Sequence, residues 1–259
     1  MACSPETMSS FAENRVILVT GASSGIGASI ALRLNELGAV VIASGRNEGK
    51  LDALKRRAHS PTHFHLEPKD LAADMEALPQ WVEELRIRYG KLSGLAFAAG
   101  KTATMPFMQY EHAAALKMFD LLCHAPLMLS KAVIDRRNCV AKGLSLLFIA
   151  AAASIAPNKG QTIYGAAKAA LVCAARCMAK ELAPRSIRVN CISPGLVRTP
   201  MLDETVELLG EGFLQHEEPL YPLGLGLPED VANLAAFLLS PAARWITGQN
   251  VLIDGGRLG

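Results

Sequence analysis

Arg15-Val-Ile-Leu-Val-Thr-Gly-Ala-Ser-Ser-Gly-Ile-Gly27 passes from a continuous apolar run into a glycine-rich turn. An apolar run that ends at a glycine is typical of a strand buried on both faces of a parallel sheet. Residues 24–37 then carry apolar side chains at helical spacing, and Gly38 stands where such a helix commonly ends. We therefore predict a strand, a tight turn and a helix, in this order.

The turn holds Gly21, Gly25 and Gly27 between the predicted strand and helix. Gly21 permits a tight turn, Gly25 lets the backbone approach a pyrophosphate, and Gly27 lets helix and strand pack closely. The N-terminus of the helix offers free N–H groups and the positive end of its dipole to phosphates. Ser23 and Ser24 add hydroxyl donors. Together, the glycines, the helix N-terminus and these hydroxyls indicate a dinucleotide site.

Outside this unit, apolar runs alternate with helical stretches, and nothing resembles a linker or a repeat. This alternation predicts a single α/β domain over residues 14–259, with a doubly wound parallel seven-stranded sheet and helices on both of its faces. The helix of residues 71–89 is expected to be interrupted or to start afresh near Pro79. Residues 200–227 show no strong period and are expected to form a mobile substrate lid. The predicted strands are 15–20, 40–43, 63–66, 92–98, 143–151, 187–192 and 250–254, and the other helices are 48–58, 107–137, 161–182 and one that begins at Pro228.

The chain has 259 residues, of which 51% are hydrophobic and 19% charged, so it is too apolar for a disordered protein. Its 26 basic against 24 acidic residues and its 5% aromatic content argue against a nucleic-acid surface. Residues 1–13 lack the regions of a signal peptide and are expected to form a flexible tail. The longest apolar stretch, residues 144–156, is too short to span a bilayer. We expect a soluble cytoplasmic protein that binds neither membrane nor nucleic acid.

The six cysteines form no C-x-x-C pair and are interpreted as reduced thiols. Cys173 and Cys177 share one helical face and could suit a metal, but they lack a third ligand nearby. They are better interpreted as two small core or interface residues. His63 and His65 share the face of a predicted strand and are interpreted as edge or surface residues. We predict no metal site.

Further motifs extend the pattern of the turn, whose glycines are spaced G-x-x-x-G-x-G. They are Tyr164-Gly-Ala-Ala-Lys168, Arg188-Val-Asn-Cys-Ile-Ser-Pro-Gly195 followed by Thr199, and Pro228-Glu-Asp-Val-Ala232 with Asp254-Gly-Gly256. Together they resemble the short-chain dehydrogenase/reductase family from about residue 14 to residue 256. The resemblance implies a Rossmann-type fold, NAD(P)(H)-dependent oxidoreductase activity on a small-molecule substrate, and assembly into a homo-oligomer, a tetramer or a dimer.

The resemblance also implies the catalytic residues. Tyr164 would give a proton to, or take one from, the substrate oxygen. A free phenol has a pKa of about 10 and is a poor base at neutral pH. Lys168 lies one helical turn further on the same face, so its charge is expected to lower that pKa. Lys168 is also expected to bond the nicotinamide ribose.

The cofactor contacts follow from the same resemblance. Asp70 and Leu71 resemble the pair that contacts the adenine, and Val197 and Thr199 resemble the contacts to the nicotinamide carboxamide. The expected cofactor-binding residues are Gly21, Ser23, Ser24, Gly25, Ile26, Gly27, Arg46, Asp70, Leu71, Ala98, Ala99, Gly100, Tyr164, Lys168, Pro194, Gly195, Val197 and Thr199.

The choice between NADP and NAD depends on the end of the second predicted strand. An NAD site usually carries an acid near this point, which bonds the ribose 2′-hydroxyl. Here Gly45 takes the acid's place and Arg46 follows, and a guanidinium suits a 2′-phosphate. We expect a preference for NADP(H), with NAD(H) as the alternative. A solvated surface arginine is the other interpretation of Arg46, and Ser24 stands where the family has a further basic residue.

Three positions differ from the family pattern. Ala151 takes the place of the serine that polarises the carbonyl, Leu122 aligns with the asparagine of the proton relay, and the N-N-A-G segment reads Phe97-Ala-Ala-Gly100. Ser154 replaces the missing serine only if its loop bends the hydroxyl back; otherwise it is a loop serine satisfied by backbone. His124 is a candidate proton carrier, although two positions along a helix is nearly the opposite face from Leu122.

Three functions remain open from the sequence. The first is an NADP(H)-dependent oxidoreductase with an atypical active site, shaped by Ala151 and Leu122. The second is a dinucleotide-binding protein with little or no redox activity, which serves as a regulatory or structural subunit. The third keeps the enzyme but changes the reaction, for example to reduction of a substrate that carries its own activating group.

Overall fold

A computed structural model describes residues 15–102, 104–210 and 212–258. The predicted N-terminal tail, residues 1–13, lies outside the described residues. All seven predicted strands are present and form one parallel sheet with the order β3-β2-β1-β4-β5-β6-β7, which confirms the predicted Rossmann-type architecture. The strands are β1 Val16–Thr20, β2 Val40–Gly45, β3 Phe64–Pro68, β4 Leu92–Phe97, β5 Ser145–Ile149, β6 Arg188–Pro194 and β7 Asn250–Ile253.

Helices cover both faces of this sheet. One layer contains α1, α2 and α9, and the opposite layer contains α3, α5 and α6. A π-helical turn, Asp120–His124, joins α4 to α5. The α-helices of the described chain are α1 Gly25–Glu36, α2 Glu48–Lys55, α3 Leu78–Tyr89, α4 His112–Phe119, α5 Ala125–Val133, α6 Thr162–Leu182, α7 Pro200–Leu209, α8 Gly212–Glu217 and α9 Pro228–Leu239.

Alternating side chains of the buried strands build two cores. In β1, Val16 and Leu18 pack against the layer of α3, α5 and α6, whereas Ile17 and Val19 pack against the layer of α1 and α9. Every residue of β1 is buried, as the apolar run at Arg15–Thr20 predicted. Because successive side chains of a strand point to opposite faces, a strand covered on both sides must be apolar throughout.

The helix predicted over residues 71–89 starts afresh near Pro79, as expected, whereas the helix predicted over residues 107–137 is divided. Residues 71–77 form turns, and α3 begins only at Leu78, with Pro79 in its first turn. Proline has no N–H to donate and is therefore tolerated only at such a start. The single helix predicted over residues 107–137 is instead a short 3₁₀ turn at Phe107–Gln109, α4, the π-helical turn and α5.

Residues 200–227 contain helices α7 and α8, which the sequence did not predict, and their role as a substrate lid stays a prediction. Thr199 caps α7, and Gly210, with φ +86°, ends it. A small apolar cluster of Leu202, Tyr221 and Leu225 holds the segment together. Because this cluster joins residues about 20 positions apart, no local period revealed the helices.

One helical run of the described chain, His112–Val133, has the length and apolar composition of a helix that could cross a membrane. Leu129 and Val133 of this run are buried in the core beneath the sheet, and Leu122 is buried in a smaller cluster with Met118 and Ala167. These contacts are those of a core helix.

Candidate active site

The glycine turn is pressed against the end of β4. Gly21 has φ +67°, and a Cβ atom at this position would lie 2.6 Å from the Ala99 nitrogen and 2.7 Å from the Ala98 carbonyl carbon. A Cβ atom at Gly27 would overlap the carbonyl oxygen of Gly21. The N–H of Ala99 donates a hydrogen bond of 3.3 Å to the Thr20 hydroxyl. The fold thus joins the turn to the Ala98–Gly100 segment, two of the predicted cofactor contacts.

The N-terminus of α1 is open, which suits a phosphate. Ser24 is its N-cap residue but makes no side-chain capping bond. By contrast, Asn47 Oδ1 accepts the Lys50 N–H of α2 at 2.8 Å, and the Thr199 hydroxyl accepts the Leu202 N–H of α7 at 3.4 Å. The first N–H groups of a helix need partners from outside it. Among the described residues, no side chain caps those of α1, so the predicted phosphate site fits this structure.

The end of β2 leaves no room for the acid that an NAD site usually carries, unless Ser23 moves. A Cβ atom at Gly45 would lie 3.1 Å from both the Cβ and the hydroxyl of Ser23. Arg46 is exposed and makes no hydrogen bond or ion pair with another described residue. Its charge is thus available to a ligand at the edge of the turn.

The adenine and carboxamide regions have local partners. Asp70 Oδ1 accepts the Ala72 N–H at 3.0 Å, and Leu71 is buried. Thr199 lies beside the turn, since a Cβ atom at Gly25 would be 3.1 Å from its methyl carbon. Thr199 of the carboxamide region and Gly25 of the glycine turn are far apart in the chain. They nevertheless meet at this end of the sheet, and the resemblance assigned both to the cofactor.

Tyr164 and Lys168 lie in the first two turns of α6. Lys168 is buried, and its Nζ donates a hydrogen bond of 2.6 Å to the carbonyl oxygen of Ile149 at the end of β5. The same Nζ lies 6.0 Å from the centroid of the Tyr164 ring. A Cβ atom at Gly100 would be 3.9 Å from this Nζ and 3.3 Å from Cδ2 of Leu122. The ammonium of Lys168 therefore lies next to Gly100, and the apolar side chain of Leu122 is close to the same glycine.

The pKa of Tyr164 moves opposite to the expected direction. Burial raises the pKa of its phenol to about 12, and burial lowers the pKa of the Lys168 ammonium to about 8. The expectation that Lys168 lowers the pKa of Tyr164 is thus wrong for this structure. The reason is that desolvation disfavours the charged form of each side chain. At neutral pH the phenol of Tyr164 is therefore protonated.

Two of the positions that departed from the family are apolar and buried. Ala151 and Leu122 are 8% and 0% exposed. The Ser154 hydroxyl lies 3.2 Å from that of Ser193, which in turn donates to Asn250 Oδ1 at 2.7 Å. Ser154 is therefore engaged toward β6 and β7, and replacement of the missing serine by Ser154 stays a prediction.

The histidine and cysteine candidates have other surroundings. His124 is exposed, and its Nδ1 is 2.9 Å from Asp120 Oδ1, while Leu122 points into the protein. His63 belongs to a 3₁₀ turn before β3, and the ring of His65 stacks on that of Tyr89 at 4.4 Å, so the predicted shared strand face was wrong. Cys173 and Cys177 are exposed rather than core residues. In the described ranges, no group of three or more metal-ligating side chains occurs.

Several residues of the site carried no signal in the sequence. The Tyr221 hydroxyl accepts the Leu196 N–H at 3.1 Å, and Val197 forms a bridge with Gly226. Arg198 forms an ion pair of 2.6 Å with Glu218. These contacts tie the Pro194–Thr199 loop to the end of the 200–227 segment. Because these contacts join residues about 20 or more positions apart, no local pattern in the sequence predicts them.

Two clefts border the site. One, of about 420 Å³, begins at Ser23, Ser24 and Gly25 and runs between α1 and α2. The other is smaller and almost entirely apolar, and it lies beside Ile163, the neighbour of Tyr164. Its further lining residues are Met105, Pro106, Phe107, Tyr110, Met118, Gly160 and Thr162. An apolar wall therefore lies close to the proton donor.

Comparisons of sequence find related proteins over nearly the whole chain. A family model described as enoyl-(acyl carrier protein) reductase matches residues 21–257. The 3-oxoacyl-(acyl-carrier-protein) reductase of Thermotoga maritima is 34% identical over 250 residues, which cover 94% of this chain and 98% of that protein. The human dehydrogenase/reductase SDR family member 4 is 32% identical over an alignment of 266 positions, gaps included, which covers 99% of this chain and 92% of that protein.

Solved structures show the same fold. A short-chain dehydrogenase/reductase from Brucella melitensis superposes with a TM-score of 0.88 at 28% identity, with 96% of this chain and 99% of that chain covered. A variant of actinorhodin polyketide ketoreductase, solved with NADPH, gives a TM-score of 0.88 at 25% identity, with 94% and 97% covered. Since the similarity extends over nearly the full length of this chain and of its relatives, the protein belongs to the short-chain dehydrogenase/reductase family, a family of dinucleotide-dependent oxidoreductases.

Proposed function

We propose that this protein is an NADPH-preferring reductase of a small-molecule carbonyl. The observation that carries the proposal is the Tyr164–Lys168 pair, whose buried ammonium lies 6.0 Å from the centroid of the Tyr164 ring and next to Gly100, at the end of β4. Relatives named as ketoreductases, one of them solved with NADPH, support the same class of reaction.

Tyr164 supplies the proton. Because its pKa is about 12, the phenol stays protonated at physiological pH and donates to the oxygen of the substrate carbonyl. A bound reduced nicotinamide supplies the hydride for the carbonyl carbon. Lys168 uses one of its three donors on the Ile149 carbonyl, so two remain for a ribose hydroxyl and for the phenolate that Tyr164 leaves behind. At neutral pH the pair is therefore in the protonation state that reduction of a carbonyl requires.

The substrate oxygen has one protein donor fewer than the family pattern provides. Ala151 offers no hydroxyl at the position of the family's serine, and loss of one such donor lowers a rate by about 10²–10³. A carbonyl that is already activated, for example by an adjacent electron-withdrawing group, tolerates this loss better than a simple ketone. We therefore propose an activated carbonyl as the substrate class.

NADPH is the proposed cofactor because of the end of β2. Gly45 leaves no acid to repel a 2′-phosphate, and the free charge of Arg46 is available to attract it. The α1 N-terminus and the glycine turn would hold the pyrophosphate, and Lys168 would hold the nicotinamide ribose. The 200–227 segment is proposed as the wall that closes over the substrate.

The test is turnover of simple and activated ketones with NADPH and with NADH, by wild type and by Tyr164→Phe. We expect turnover of activated ketones with NADPH, and a loss of about 10²–10⁴ in kcat for the variant. The affinity for NADPH, measured by calorimetry, should stay unchanged, because the variant keeps its ring. Equal turnover by wild type and variant would contradict the proposal.

A second function is favoured by the two buried apolar replacements. Ala151 and Leu122 together remove the hydroxyl and the amide of the family pattern, which fits a dinucleotide-binding protein with little redox activity. Tight NADPH binding without turnover of any ketone would support this function, whereas turnover that depends on Tyr164 would exclude it.

A further inference from the structure

The loop that leaves β6, residues 194–199, is fixed in part by hydrogen bonds between main-chain groups. The Gly195 N–H donates to the carbonyl oxygen of Ile253 in β7 at 2.9 Å. The Gly226 N–H donates to the carbonyl oxygen of Leu196 at 3.0 Å. Because both partners of these bonds belong to the main chain, they do not depend on the side chains that the loop carries.

A buried side chain completes this network of bonds. The Leu196 N–H donates to the hydroxyl of Tyr221 at 3.1 Å, and Tyr221 is buried. The ion pair of Arg198 with Glu218 also reaches the loop, but these two side chains are 52% and 46% exposed. Exposed ion pairs contribute little to stability, whereas a buried N–H that loses its partner is costly. The hydroxyl of Tyr221 is therefore the stronger of the two side-chain contacts.

The ring of Tyr221 lies between the loop and the C-terminal segment. A Cβ atom at Gly195 would lie 2.9 Å from Cε1 of this ring and 3.0 Å from Cβ of Asp254. Glycine at position 195 thus leaves the space that the ring occupies. The guanidinium carbon of Arg257 lies 6.0 Å from the centroid of the ring, and this arginine forms an ion pair of 3.8 Å with Glu217. The ring is therefore held from both sides, which fixes the position of its hydroxyl.

We propose that Tyr221 is a positioning residue for the nicotinamide end of the cofactor. This inference rests on the proposed function. Val197 and Thr199, which the resemblance assigns to the nicotinamide carboxamide, come one and three residues after Leu196. Thr199 also contacts the glycine turn, since a Cβ atom at Gly25 would be 3.1 Å from its methyl carbon. By holding the Leu196 N–H, the hydroxyl of Tyr221 fixes the backbone that carries both of these contacts.

Tyr89 provides a matched control. It is the last residue of α3, outside the residues proposed for the cofactor, and its hydroxyl donates to Glu67 Oε1 at 2.6 Å. Phenylalanine at position 89 or at position 221 removes one bonded hydroxyl and keeps the ring. Because a hydrogen bond to a charged group is the stronger kind, Tyr89→Phe should lower the stability at least as much as Tyr221→Phe. A change in function that is confined to Tyr221→Phe does not then follow from lower stability alone.

The experiment is calorimetry of wild type, Tyr221→Phe and Tyr89→Phe with NADPH and with 2′,5′-ADP, which lacks the nicotinamide. Without the hydroxyl of Tyr221, binding of NADPH must order the loop, and one hydrogen bond corresponds to a factor of about 5 in affinity. We expect Tyr221→Phe to bind NADPH about 5-fold more weakly and 2′,5′-ADP as wild type does. Its kcat on an activated ketone should fall about 10-fold, because a displaced nicotinamide loses the reacting geometry. Tyr89→Phe should match wild type in all three measurements.

Two results would overturn the inference: wild-type affinity of Tyr221→Phe for NADPH, or an equal loss of affinity for NADPH and 2′,5′-ADP. The second would show a general loss of structure and no effect specific to the nicotinamide. A wild type that binds NADPH without turnover refutes the proposed reductase activity, while the difference between the two probes still decides the role of Tyr221. A wild type that binds neither probe refutes the proposed function, and the inference falls with it.

Discussion

Replacement of Lys168 by methionine is expected to stabilise the fold while it removes the proposed activity. The ammonium is buried against the end of β5, and its hydrogen bond to the Ile149 carbonyl, 2.6 Å long, only partly replaces its hydration. Methionine has a similar length and no charge, so it fills the same space without the desolvation penalty. Lys168→Met therefore separates the stability of the fold from the chemistry of the site.

The size of the effect follows from the pKa. Burial lowers the pKa of Lys168 from 10.5 to about 8. Because one pKa unit corresponds to about 1.4 kcal/mol, the charged side chain destabilises the folded state by about 3 kcal/mol at pH 7. The variant loses one hydrogen bond, which contributes about 1 kcal/mol. The net expectation is that Lys168→Met raises the free energy of unfolding by about 2 kcal/mol at pH 7.

The same pKa predicts how the difference changes with pH. Between pH 8 and 10.5 the unfolded chain binds more protons at Lys168 than the folded chain does, so wild-type stability rises with pH in this window. At pH 9.5 the penalty falls to about 1.5 kcal/mol, and the advantage of the variant shrinks to about 0.5 kcal/mol. Urea unfolding of both proteins at pH 7 and pH 9.5 measures this. A variant that is less stable at pH 7, or whose advantage is independent of pH, would refute the reasoning.

Three further changes are expected to have distinct results. Gly21→Ala should lower the free energy of unfolding by at least about 2 kcal/mol, because alanine disfavours φ +67° and its Cβ would overlap the end of β4. Urea unfolding measures this, and wild-type stability of the variant would contradict the expectation. Ala151→Ser, which restores a hydroxyl near Tyr164, should raise kcat on simple ketones by at least about 10-fold, and an unchanged kcat would place the donor elsewhere. Native alkylation followed by mass spectrometry should label the exposed Cys173 and Cys177 faster than the buried Cys123, Cys139 and Cys191; equal labelling of both groups would contradict this.

The buried Tyr164–Lys168 pair connects these predictions. Desolvation raises the pKa of Tyr164 to about 12 and lowers the pKa of Lys168 to about 8. The phenol therefore stays protonated at neutral pH, and the ammonium loses its proton near pH 8. Activity that depends on the charge of Lys168 is therefore expected to fall as pH rises through about 8. The phenol, with its pKa of about 12, does not lose its proton in that range.

The fold could be predicted from the sequence because its signals are local. A strand covered on both faces must be apolar at every position, so runs such as Arg15–Thr20 indicated their own burial. The glycine turn was placed correctly between that strand and α1, because an apolar run precedes it and a helical period follows it. Tyr164 and Lys168 were paired correctly, since a separation of four residues on a helix sets one face.

Contacts between residues remote in the chain decided what the sequence could not. The helices of the 200–227 segment depend on the cluster of Leu202, Tyr221 and Leu225, and the pKa of Tyr164 depends on apolar neighbours contributed by other helices. The bond of the Leu196 N–H to the Tyr221 hydroxyl likewise forms only when the 200–227 segment packs against the loop after β6. Local spacing specifies which backbone conformation a segment adopts, whereas desolvation and the availability of a charge depend on the neighbours that the tertiary structure brings to it.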